Sequence, residues 1–146
     1  MSEILIQAKN IKKYFPTSDR GKVVKAVDDI SFDIYKGETL GVVGESGCGK
    51  STTGRMVLKL LDCTEGTVLY KGKDIGKMKG KEMRSLRKEM QIIFQDPYAS
   101  LDPRKTVFQI LAEPFWIHHP EMSKEEIYRE VEKLIECVEI GRASCR

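Results

Sequence analysis

Eight consecutive residues, Gly44-Glu45-Ser46-Gly47-Cys48-Gly49-Lys50-Ser51, satisfy the pattern GxxxxGK[ST]. In that spacing the glycines let successive main-chain N–H groups curl inward around an anion. An apolar segment, Thr39-Leu40-Gly41-Val42-Val43, runs into the loop, and a helical pattern over about Lys50–Leu61 leaves it. The positive end of that helix then points at the same spot as the loop amides. The chemistry predicted is capture of a nucleoside triphosphate. Gly44, Glu45, Ser46, Gly47, Cys48 and Gly49 form the cradle, Lys50 reaches the β- and γ-phosphates, the Ser51 hydroxyl ligates Mg2+, and Thr52 bonds the α-phosphate. Cys48 fills a variable position and needs no side-chain role.

The elements that must position this loop follow from hydrophobic patterning. Ile4–Ala8 reads as a short strand, and 10–16 leads out of it into a turn cluster at 17–21. Val23–Val27 and Ile30–Ile34 alternate as half-buried strands. Thr39–Val43 reads as a continuous apolar strand of the kind buried on both faces, and Met90–Phe94 as a second buried strand. Between them lie a strand at Gly66–Tyr70, a turn at Lys71–Asp74 and a short basic helix at Lys81–Lys88. Gln95-Asp96-Pro97 ends the second buried run, and an amphipathic helix follows from Thr106 to about Phe115. The last helix opens on Ser123 with Glu126 three residues on, a capping-box spacing. Its stripe is Ile127, Val131, Leu134, Ile135 and Val138, and Gly141 is its expected stop.

Composition bounds the reading. With 146 residues, 40% apolar and 32% charged, the chain has the balance of a globular domain and excludes collagen-like and disordered classes. No apolar run approaches the roughly 18 residues that span a bilayer. The first residues lack a secretory signal pattern, so the chain is expected to stay where it is made. A net charge of +3 is too small to imply nucleic acid. Eight basic residues nonetheless cluster from Lys71 to Lys88, and seven glutamates from Glu121 to Glu139. Solvated faces are the expectation for both runs, with docking of a protein or anionic lipid as the alternative. Cys48, Cys63, Cys137 and Cys145 show no zinc spacing and are expected as free thiols in a reducing cytosol.

At least three strands precede the phosphate loop, which suits a small antiparallel sheet laid beside a nucleotide site. Together with Gly44–Thr53 (GESGCGKSTT), 65–68 (EGTV) before the Lys71–Ile75 turn, and Ile92–Arg104 (IIFQDPYASLDPR), the sequence resembles the ATP-binding subunits of ABC transporters, specifically the oligopeptide/dipeptide importer branch. The resemblance covers 4–140, and 141–146 departs from it. It implies an α/β P-loop NTPase core with an N-terminal antiparallel β subdomain and the start of a helical subdomain. It also implies ATP and Mg2+ as cofactors. Gln95 then looks like the Q-loop glutamine, catalytic with Lys50 and approaching Mg2+ or the attacking water. Tyr14 looks like the aromatic that stacks on adenine, with Phe15 as its neighbour and rival. His118-His119 does not match a switch histidine by position and reads as a surface loop pair.

The implied partners are transmembrane permease subunits, a second ATP-binding subunit and, indirectly, an extracytoplasmic substrate-binding protein. The implied location is the inner face of the cell membrane, peripheral and cytoplasmic. The family also uses an LSGGQ-type signature, an apolar strand ending in Asp followed by a catalytic Glu, and a switch His. After Gly80 the only glycine is Gly141, so no signature fits these residues. The expectation is therefore a truncated nucleotide-binding domain that binds ATP and turns it over slowly, with an unpaired apolar edge beside the P-loop strand. Two alternatives stay open: a non-catalytic nucleotide binder and an independent P-loop phosphotransferase. The upstream strands and the 92–104 block weigh against the latter.

Overall fold

Two 13-residue strands, β1 (Ile4–Pro16) and β2 (Val23–Tyr35), form a long antiparallel hairpin. β3 (Glu65–Tyr70) adds to the free side of β1 and β4 (Lys73–Asp74) to β3, giving the order β2-β1-β3-β4. The structure, a computed structural model, describes residues 3–19, 21–96 and 100–138. It divides into two compact units, Met1–Gln91 and Ile92–Arg146, and each is described by itself.

Each hairpin strand is longer than its sequence pattern suggests because bulges carry it through apparent breaks. Asn10 and Asp29 adopt left-handed backbone (φ 47° and 57°), a region that short polar side chains tolerate. They are tied together: the Asn10 side-chain amide donates to the Asp29 carboxylate at 3.0 Å, and the Asn10 N–H donates to Ser31 Oγ at 2.8 Å. Another irregularity falls where Lys13 pairs with Val27 and Tyr14 with Lys25, leaving Ala26 as the extra residue. Gly66 (φ 85°) opens β3 against this region, and a Cβ there would lie 2.3 Å from the Asn10 carbonyl oxygen. Only glycine fits that approach.

One face of the sheet buries Ala8, Ile11, Val27 and Val68 against helix α1 (Lys50–Val57) and helix α2 (Gly80–Glu89), through Met56, Val57 and Leu86. α1 is shorter than the predicted Lys50–Leu61. Lys59 turns left-handed (φ 53°), and the N–H groups of Lys59 and Leu60 donate back to Met56 and Arg55, a Schellman stop without glycine. Arg87 of α2 then donates to the carbonyls of Leu58 and Lys59, satisfying acceptors that the helix end leaves open.

Two expected elements are absent among the described residues. Neither 39–43 nor 90–94 is a strand, and both expose apolar side chains: Val43 is 95% and Ile93 98% exposed. A strand buried on both faces needs neighbours on either side and helices above and below. Two short candidate segments fall short of the three or more strands that a stable sheet requires.

The second unit holds α3 (Val107–His118) and α4 (Lys124–Cys137), packed through Ala112, Ile127, Val131 and Ile135 with Phe108, Leu111 and Phe115 around them. Both helices open on complete capping boxes, the predicted Ser123/Glu126 pair and an unpredicted Thr106/Gln109 pair. His118 ends α3 rather than sitting in a loop, and His119 caps it. Gly141 and the 141–146 tail lie outside the described residues, as do Pro97 and Cys145. No helix is long and apolar enough to cross a membrane among the described residues.

Candidate nucleotide-binding site

The loop from Gly44 to Gly49 joins the exposed apolar segment to α1. Gly47 and Gly49 take left-handed backbone (φ 83° and 94°), which bends the chain so that the helix begins directly at Lys50. Gly49 is also pressed onto β2: a Cβ there would lie 2.2 Å from the Ala26 carbonyl oxygen and 3.4 Å from the Val27 side chain. The bulge at Ala26 pushes that carbonyl out of the ladder, so the irregularity in the hairpin is what seats the loop.

The start of α1 has the character of an anion site. Gly49, its N-cap, provides no side-chain acceptor, and the first turn contains no acidic residue. The opening N–H groups therefore have no carboxylate or hydroxyl competing for them, and the helix dipole favours a negative guest. Thr53 is occupied otherwise: its N–H and Oγ1 both bond the Gly49 carbonyl, at 2.8 and 3.0 Å, and its side chain is buried. Ser51 is exposed and Thr52 half-buried, both on the first turn. The Lys50 ammonium folds across the loop, donating to the carbonyls of Gly44 (2.7 Å) and Glu45 (2.5 Å) and lying 3.5 Å from Cys48 Sγ. Glu45 and Ser46 are exposed, and the Cys48 N–H donates to the Glu45 carbonyl at 3.4 Å. The N–H and ammonium donors fit polyphosphate oxygens, and the exposed Ser51 hydroxyl offers an oxygen ligand suited to magnesium. Among the described residues no cluster of three His, Cys, Asp or Glu offers a different metal site.

Tyr14 belongs to the same unit and sits beside the bulge that seats the loop. Its hydroxyl donates to the Asp28 carboxylate, its N–H donates to Thr64 Oγ1 at 3.0 Å, and the Lys25 ammonium lies over its ring at 5.2 Å. Lys25 also donates to Asp28 at 3.1 Å. The bond to Asp28 holds the Tyr14 phenol above its ordinary pKa, and the bonds from Tyr14 and then Lys25 hold Asp28 below the usual carboxylate range. Phe15 is exposed, with the Lys13 ammonium 5.3 Å from its ring centre. Lys25, Asp28 and the Ala26 carbonyl were not legible as site residues, because only the hairpin register brings them to Tyr14 and Gly49. Gln95 lies exposed on a bend in the second unit.

Residues 27–144 match the family described as ABC transporter. The chain is 51% identical over 143 residues to the oligopeptide transport ATP-binding protein OppF of Bacillus subtilis (strain 168), covering 97% of this chain and 46% of that protein. It is 43% identical over 140 residues to the Escherichia coli (strain K12) protein of the same name, covering 91% and 42%. The chain thus spans less than half the length of these curated relatives. Among solved structures it is similar to the ATP-binding cassette MJ0796, a dimer in a post-hydrolysis state bound to ADP and Pi (TM-score 0.77, 22% identity, 97% of this chain and 60% of that one). It is also similar to cbiO1 from Clostridium perfringens, part of the cbiONQ complex (TM-score 0.70, 22% identity, 99% and 54%). At those identities the structural likeness establishes the fold, that of an ATP-binding cassette. With most of its length matched, the chain belongs to the ABC transporter family.

Proposed function

We propose that this chain binds Mg-ATP through residues 44–52 and forms the nucleotide-binding portion of a subunit that powers peptide import. The observation that carries the reading is the phosphate loop itself. Left-handed glycines at 47 and 49 deliver a helix start free of competing acceptors, with an ammonium at the loop's mouth. On binding, Lys50 exchanges its two carbonyl partners for β- and γ-phosphate oxygens. Ser51 would hold Mg2+, Thr52 would meet the α-phosphate and the Tyr14 ring would stack on adenine, while Gln95 is assigned its catalytic and metal role by the family resemblance alone. Magnesium would supply positive charge that offsets the negative charge of the polyphosphate.

The peptide substrate and the partners follow from kinship with the oligopeptide transport proteins. They are permease subunits in the membrane, a second ATP-binding subunit and, through the permease, a substrate-binding protein. Such a subunit works peripherally at the inner membrane face.

Calorimetric titration of Mg-ATP into the wild-type chain and into Lys50→Ala tests the reading. Loss of a charge-assisted contact to phosphate predicts about ten- to hundredfold weaker binding by the variant. Equal affinity of the two proteins would overturn it.

A further inference from the structure

We propose that Asp28, with Lys25, is a positioning device that fixes the Tyr14 ring for base recognition; this rests on the nucleotide-site reading above. The three residues are not neighbours by chance of surface crowding. The bulge at Ala26 shifts the hairpin register between Lys13–Val27 and Tyr14–Lys25, and this brings Asp28 within reach of the Tyr14 hydroxyl. Lys25 then bridges, donating to Asp28 at 3.1 Å while its ammonium covers one face of the ring at 5.2 Å. The ring is held at its hydroxyl by a carboxylate and at one face by a cation, while the Tyr14 N–H is anchored on Thr64. A purine must therefore stack on the face that Lys25 leaves free. The same bulge presents the Ala26 carbonyl to Gly49, so one irregularity sets both the ring and the phosphate loop. Ordering an aromatic before the ligand arrives removes an entropy cost from binding, and only from the part of binding that uses the base.

The test compares Mg-ATP with magnesium tripolyphosphate, which lacks base and sugar, on the full chain. Asp28→Ala is expected to weaken Mg-ATP about three- to tenfold while leaving tripolyphosphate within about twofold. Asp28→Asn, which keeps an acceptor for the hydroxyl, should recover most of the loss. In a Tyr14→Ala background, Asp28→Ala should have no further effect on Mg-ATP, because the two act as one unit. Equal loss for both ligands would mark Asp28 as structural and overturn the inference, as would no loss for either or additive effects of the two substitutions. If the wild-type chain binds both ligands equally, Tyr14 does not read the base and the inference falls while the phosphate loop stands. If it binds neither, the nucleotide reading itself has failed, and this inference with it.

Discussion

Within the first unit, the β1–β2 hairpin and the 39–43 segment are both rich in branched apolar residues, yet they end in opposite states. Ile11 in the hairpin is fully buried, whereas Val43 is 95% exposed. The difference lies in where each finds its partner. A hairpin strand pairs with the next stretch of chain, closes a short loop and completes its ladder locally. An apolar run of the parallel kind depends on distant strands at both edges, and the hydrophobicity of the run cannot substitute for them. The phosphate loop sits at the junction. Among the described residues its upstream arm joins no sheet, while its downstream arm is anchored by α1 and by the Ala26 bulge.

That contrast can be broken by substitution. Ile11→Ala opens a cavity in the core beneath the hairpin and should lower unfolding stability by about 2–5 kcal/mol in urea denaturation. Gly49→Ala places a methyl group 2.2 Å from a backbone oxygen at a positive φ. It should destabilise the loop–bulge contact by about 1–3 kcal/mol and abolish Mg-ATP binding in the same calorimetric assay, which would show that the anchored arm is the one that matters. Ser123→Ala removes half of the α4 capping box, at a cost of about 1 kcal/mol in the second unit.

The same cap carries a pH dependence. The bond from the Ser123 N–H, followed by its hydroxyl, holds Glu126 below the usual glutamate value. Its stabilising contribution is therefore present above that usual value and is lost as pH falls through the lowered one. Glu126→Gln, which removes the titrating carboxylate, should flatten the acid limb of a thermal-melt series accordingly. The smallest effect belongs to Val43→Ser, within about 0.5 kcal/mol of wild type, because an exposed side chain has little packing to lose. A loss of 2 kcal/mol or more there would show that 39–43 is supported after all, and the comparison would collapse.

Local signals survived the passage from sequence to structure better than non-local ones. The GxxxxGK[ST] spacing, the helix leaving it and the Ser123/Glu126 box all depend on residues a few positions apart, and the structure starts α1 at Lys50 and caps α4 with Ser123 and Glu126. The Thr106-to-Gln109 box was equally readable. Asn10 and Asp29 resemble turn residues, but the hairpin uses their tolerance of left-handed backbone to keep the strands continuous. Lys59 gave no warning of a helix stop, since a left-handed lysine is set by its surroundings, including Arg87 on another helix. Tyr14 was singled out through the family resemblance alone, and its partners Lys25 and Asp28 emerge only from the register at the Ala26 bulge. The apolar runs at 39–43 and 90–94 announced a preference for burial without announcing a partner.

Amide hydrogen exchange with and without Mg-ATP tests the central claim most directly, because it reads the main-chain N–H groups said to form the cradle. Nucleotide should slow exchange selectively across residues 45–52 and leave the hairpin core around Ile11 unchanged. Saturating Mg-ATP that leaves those loop amides as fast as before, or protects only residues elsewhere, would contradict the account.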